Sequence, residues 1–129
     1  MDNILVPVAP GEVLDKITIL QIKSERMTDP AQLAHVRLEL GVLRSIWQAA
    51  VTEDALTRSL YQQLMAINRA LWDIEDGIRD KERAAEFDQK FIELARSVYR
   101  TNDQRSQVKK QLNLHLGSTL IEEKSYQAY

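Results

Sequence analysis

Between Leu56 and Ile78 the chain repeats one apolar position every three or four residues: Leu56, Leu60, Leu64, Ile67, Leu71, Ile74 and Ile78. No proline interrupts that run and its one glycine, Gly77, falls at the end. A stripe of this period belongs on one face of an α-helix and cannot be sustained by a strand, whose side chains alternate every two residues. The helix it predicts runs to Arg83 and is on the order of 45 Å long at about 1.5 Å per residue. Only 4 glycines and 3 prolines occur in 129 residues, so breakers are too scarce for a fold of many strands and turns.

The same period recurs on both sides of this segment. Pro10 suits a first helical turn, Glu12 and Asp15 place negative charge near its N-terminus, and Val13, Leu14, Ile17, Leu20 and Ile22 carry the apolar arc to about Met27. Glu12, Asp15, Lys16, Lys23 and Arg26 share the opposite, solvent-facing arc. Asp29-Pro30 is a stop-and-restart signal, and Leu33, Val36, Leu40, Leu43 and Trp47 predict a second helix over about 30–50. Thr52 is the expected N-cap of the third. A fourth is expected from about Ala85, with Phe87, Phe91, Leu94 and Val98 as its seam, and it either continues through Thr101-Asn102-Asp103 or breaks there. Helix then runs through Val108, Leu112 and Leu116 until Gly117-Ser118. Residues 3–9 read as an edge strand or an extended arm laid over the helices, since Pro7 lacks a ladder donor. The tail from Thr119 to Tyr129 is expected to dock. The fold class is therefore all-α: a bundle of four to five long amphipathic helices with a short N-terminal extended arm, in one domain spanning residues 1–129.

Composition narrows the function classes. There is no cysteine, which excludes disulfides, thiolate metal sites and thiol nucleophiles. Seventeen basic and 19 acidic residues give a net charge of −2, without the basic excess that phosphate neutralisation demands of nucleic-acid binders. No leader-like N-terminus and no apolar run long enough for a membrane are present, so the expected location is cytoplasmic and no membrane partner is expected. His35 and His115 are too far apart in sequence to form a metal motif and read as helix-edge residues. No metal site and no cofactor are implied.

Beside the seam of the third helix runs a second stripe, Tyr61, Met65, Asn68, Trp72, Glu75 and Arg79, at the shoulder where core meets solvent. Arg96, Tyr99 and Asp103 sit likewise on the fourth helix, and Glu12, Lys16 and Lys23 on the first. Ordinary surface ion pairs account for such residues in most bundles, with Glu12–Lys16 and Glu75–Arg79 at i,i+4 spacing. Alternatively the shoulders converge. Glu12, Lys16, Lys23, Trp72, Glu75, Arg79, Arg96, Tyr99 and Asp103 would then line one polar cleft for a small anionic ligand bearing phosphate or carboxylate, with an aromatic ring to stack on it.

Two enzyme readings compete. Glu12-x-x-Asp15 and Asp73-x-x-Asp76 share the acidic spacing of helical metal-dependent nucleotide pyrophosphohydrolases, but Asp73, Asp76 and Asp80 project away from the seam, where a core metal site would need them. Leu14-Asp15-Lys16-Ile17 and Lys23-Ser24-Glu25-Arg26-Met27 resemble the opening helix of helical chorismate mutases. A third reading is a purely structural dimerisation module. A homodimer is expected in any case, because Ile46, Met65, Ile92 and Tyr126 add apolar surface outside the seams.

Four stretches carry a wider resemblance: Pro10 to Lys23 (PGEVLDKITILQIK), Leu71 to Arg79 (LWDIEDGIR), Leu94 to Asp103 (LARSVYRTND) with Arg105, and Gly117-Ser118 with Glu122 to Tyr126 (EEKSY). In these the chain resembles an uncharacterised bacterial family of helical proteins of unknown function. The resemblance implies a short, mostly helical protein and supplies no activity, substrate or catalytic residue.

Overall fold

The computed structural model describes residues 1–129 and contains four helices: α1 (Pro10–Arg26), α2 (Pro30–Ala50), α3 (Ala55–Arg83) and α4 (Gln89–His115). There are no strands. Each later helix is started by an aspartate whose carboxylate accepts an otherwise orphaned backbone N–H. Asp29 takes that of Gln32, Asp54 that of Thr57 and Asp88 that of Phe91. At Asp54 the arrangement is reciprocal, since the Thr57 hydroxyl accepts from the Asp54 backbone N–H at 2.7 Å. The N-cap of α3 is thus Asp54 and not Thr52, because only Asp54 stands three residues before a side chain able to close the box.

α1 packs against all three other helices, whereas the α2 backbone comes close to that of α1 alone. α3 and α4 form a long hairpin. With 29 residues α3 is about 43 Å long and overruns the 17-residue α1 by more than 15 Å. The result is not a symmetric bundle but a central helix with α2 on one side and the hairpin on the other. The apolar core sits at the α1 end of the hairpin and includes Leu14, Ile17, Leu40, Trp47, Leu60, Leu64 and Leu112.

Several expectations change here. α4 begins at Gln89, not near Ala85: residues 84–88 form the hairpin turn, Ala85 takes a positive φ of 55°, and Lys81 Nζ ties Glu86 and Asp88 at 2.9 Å each. Phe87 is accordingly exposed in the turn, edge-on to Phe91. Of the two alternatives at residues 101–103 the helix takes continuation: α4 runs unbroken to His115 and Gly117 then closes it at φ 68°. Packing against α1 and α3 overrides the weak capping preference of Asn102 and Asp103. Residues 1–8 form an exposed arm without regular secondary structure and not an edge strand, for an all-helical protein offers no strand edge to pair with. The tail is tethered to α4 by Lys109–Glu122 and Lys110–Glu123, yet Tyr126 and Tyr129 stay exposed. Met65 is buried in the core, whereas Ile46, Ile92 and Tyr126 are on the surface. No helix is long and apolar enough to cross a membrane.

Candidate functional site: a polar cleft between α1, α3 and α4

α1 carries two buried stripes, not one. Leu14, Ile17 and Leu20 fill the core, while Gly11, Asp15, Thr18 and Ile22, spaced four, three and four apart, form a second buried line. The α3–α4 hairpin packs against α1, and this second line holds a polar network. Asp15 is 2% exposed, Thr18 0% and Asn68 5%. Asn68 Nδ2 donates to Asp15 Oδ1 and to Thr18 Oγ1, both at 2.9 Å, and the Thr18 hydroxyl donates to the Asp15 carbonyl at 2.6 Å. Arg105 of α4 completes it, donating from Nε to Asp15 Oδ1 at 2.9 Å and from Nη2 to Asp15 Oδ2. No buried side-chain polar atom lacks a hydrogen-bond partner. The bond to Asp15, which outweighs desolvation, raises Arg105 above its ordinary pKa. The helical projection of α1 puts Asp15 on the arc outside the apolar seam, yet it is buried. A single-stripe projection could not find it, and the signal was the small or polar line Gly11, Asp15, Thr18 at seam spacing.

At the N-terminal end of α1, Gly11 donates its backbone N–H to Asn113 Oδ1 at 2.7 Å. A Cβ built on Gly11 would stand 2.7 Å from the Lys109 carbonyl oxygen and 2.8 Å from Asn113 Oδ1, so only glycine lets α1 and α4 approach this closely. Lys109 lies beside it, bonded to Glu12 at 2.8 Å and to Glu122 of the tail at 3.1 Å. Burial works against the Lys109 charge, but these two hydrogen bonds and the neighbouring carboxylates raise its pKa above the ordinary lysine range.

Arg105 lies in the wall of an open cleft of about 470 Å³. α1 contributes Ile19, Ile22 and Lys23; α3 contributes Asn68, Leu71, Trp72, Glu75, Asp76 and Arg79; α4 contributes Asn102 and Arg105. Arg26 stands 5.9 Å over the Trp72 ring, and Arg79 is paired with Glu75. Of the nine residues projected onto a shared cleft, Lys23, Trp72, Glu75 and Arg79 meet here. Glu12 lies in an adjoining polar groove that shares Asn102 and Arg105 with the cleft. Tyr99 and Asp103 line a separate groove under the tail, where Tyr99 packs on Tyr129 at 4.8 Å. Lys16 turns to Glu39 of α2 instead of Glu12, at 3.1 Å, and exposed Arg96 joins none of these grooves. The three helices therefore share one cleft, but with a different cast: Asn102 and Arg105 enter it because α4 does not break.

Among the acidic residues considered for metal, Asp73 pairs with Arg26 and Asp80 with Arg83, while Asp76 reaches the cleft rim. No three His, Asp or Glu side chains gather as a metal-ligand group. His115 contacts Asp54 at 2.7 Å, joining the end of α4 to the start of α3.

These features define a small all-α protein whose central helix carries a buried Asp–Asn–Thr network that fixes an arginine in the wall of a polar cleft. The sequence matches, over residues 4–129, the model of a family of unknown function, DUF6165, and the chain belongs to that family. No curated protein and no solved structure matches it.

Proposed function

We propose that the protein binds a small anionic ligand in the cleft between α1, α3 and α4. The observation that carries this reading is the pairing of Arg105 with Asp15. A guanidinium has five N–H donors, and Asp15 takes two, one from Nε and one from Nη2, leaving three on a side chain that lines both the cleft and the adjoining groove. A side chain held this way is pre-organised, so little further conformational entropy is lost when it grips a ligand. Lys23 and Arg79 add positive charge at the rim, and neither Lys23 nor Arg79 is needed to close the core.

The test is thermal unfolding with a panel of simple anions (phosphate, pyrophosphate, citrate, benzoate) at fixed ionic strength. A ligand at 100 times its dissociation constant adds about 2.7 kcal/mol to the folded state. The reading expects a saturable rise in Tm for at least one anion that is weakened or lost in Arg105→Lys, which keeps the charge but not the fork. A panel that leaves Tm unmoved, or a rise unaffected by that variant, overturns it.

A second reading, self-association, is favoured by the outer face of α2. Leu38, Val42 and Ile46 are exposed there at i, i+4 and i+8, and no other helix of the chain covers them. Sedimentation at micromolar concentration tests it: a dimer supports it and a monomer removes it.

A further inference from the structure

We infer that the cleft is built for a monocarboxylate with an apolar or aromatic body rather than for a phosphate. This rests on the anion-binding reading above and names the ligand class for that same site.

The first argument is the shape of what Arg105 offers. A guanidinium presents two forked edges, Nε with Nη2 and Nη1 with Nη2. Asp15 occupies the first, since its two carboxylate oxygens accept from Nε and Nη2. The remaining Nη1–Nη2 edge matches the spacing of one planar carboxylate through two parallel hydrogen bonds.

A second argument concerns the donors a phosphate would need. Phosphate sites draw heavily on free backbone N–H groups at helix N-termini. No residue lining the cleft lies in the first turn of its helix: they are 19–23 in α1, 68–79 in α3, and 102 and 105 in α4. Their amides are committed to i−4 carbonyls, so the cleft presents side-chain donors only. Asn68 is also spent, because both bonds from its Nδ2 go to Asp15 and Thr18.

Charge points the same way. Lys23, Arg79 and Arg105 are matched by Glu75, Asp76 and the underlying Asp15, so a dianion would enter a site that is already balanced. A single negative charge on the free arginine edge is the smaller perturbation. Finally, Ile19, Ile22, Leu71 and Trp72 supply an apolar wall beside that arginine. Such a wall contributes nothing to a hydrated phosphate, whereas roughly 25 cal/mol per Å² follows from covering it with an apolar body. A cleft of about 470 Å³ has room for one substituted ring or a short acyl chain.

The experiment follows the indole N–H resonances in the ¹⁵N-labelled protein. The chain has two tryptophans, Trp72 in the cleft and Trp47 in the core, so the second is an internal control. Benzoate, phenylacetate and hexanoate are titrated against inorganic phosphate and pyrophosphate at constant ionic strength. A saturable shift of the Trp72 signal by a carboxylate, with Trp47 unmoved and both phosphates inert, is the expected result. Arg105→Lys should weaken that binding by at least about tenfold, because a lysine cannot reproduce the fork. Should that variant fail to fold, Ile19→Glu, which adds a carboxylate to the half-exposed apolar wall, decides instead by abolishing binding. Phosphate binding at Trp72 without carboxylate binding overturns this inference and leaves the anion-binding reading intact. Trp72 unmoved by every probe overturns both. Carboxylate binding that neither variant weakens removes Arg105 and the apolar wall from the site, and with them the inference.

Discussion

Removing either partner of the Asp15–Arg105 pair should destabilise the protein unequally. Asp15 is 2% exposed, and its carboxylate accepts from Asn68 as well as twice from Arg105. The Arg105 side chain is 28% exposed. Arg105→Met therefore strands a carboxylate that water cannot reach, a situation that costs about 3–5 kcal/mol. Asp15→Leu strands a guanidinium that can turn partly into the cleft and rehydrate, so the expected loss is smaller, about 1–3 kcal/mol. Replacing both at once, as Asp15→Leu with Arg105→Met, leaves no unpaired charge. Asn68 keeps its bond to Thr18 but loses its Asp15 acceptor, so the double variant should lose about 1–2 kcal/mol, less than Arg105→Met alone. The assay is urea unfolding followed by far-ultraviolet circular dichroism, with the m-value required to stay constant across the set. Both single losses under about 1 kcal/mol, or a double variant as unstable as the sum of the singles, would refute a buried, mutually compensating pair.

Other consequences follow from the same geometry. Gly11→Ala should destabilise by about 1–3 kcal/mol in urea unfolding although alanine is the better helix former, because its Cβ meets the Lys109 carbonyl and Asn113 Oδ1 below 3 Å. Gly41→Ala should do the opposite: a Cβ there meets nothing within 4 Å, and a mid-helix alanine gains about 0.5–1 kcal/mol, so a loss of stability would reveal a copy packed on α2. The Asp54 carboxyl is held down to about pKa 2, first by the Thr57 backbone N–H and then by His115. Its unfolded value is near 3.9, so its contribution is complete above about pH 4 and is lost as pH falls through about 2. The stability gap between the parent and Asp54→Asn should close within that window, and a carboxyl ¹³C titration should show the low midpoint rise in His115→Ala.

The helices were legible where a local rule and the packing agree. Asp29-Pro30 marks the start of α2 because one residue caps and the next fits the first turn, and the α3 stripe fixes that helix to Arg83. Boundaries slipped where the deciding contact is a partner three residues on, as with Thr57 for Asp54, or a tertiary tie, as with Lys81 holding Glu86 and Asp88 in the turn. The cleft was half legible. Lys23, Trp72, Glu75 and Arg79 sit at helix shoulders and a projection finds them. Asp15, Thr18, Asn102 and Arg105 depend on α1 being central and buried on two sides, which no single-helix projection contains. A carboxylate in the first half of a helix reads as a dipole partner until a second helix brings an arginine to it.

The central claim is that Arg105, fixed by Asp15, is the anchor of a ligand site. The most direct measurement is a crystal structure of the protein saturated with the carboxylate that most shifts the Trp72 resonance. The account predicts ligand oxygens within about 3 Å of Arg105 Nη1 and Nη2, the apolar body against Leu71 and Trp72, and the Asp15–Arg105 pair unmoved. Ligand seated elsewhere, for example on Lys109 and Lys124 in the adjoining groove, or an Arg105 drawn off Asp15 to reach it, would contradict the account.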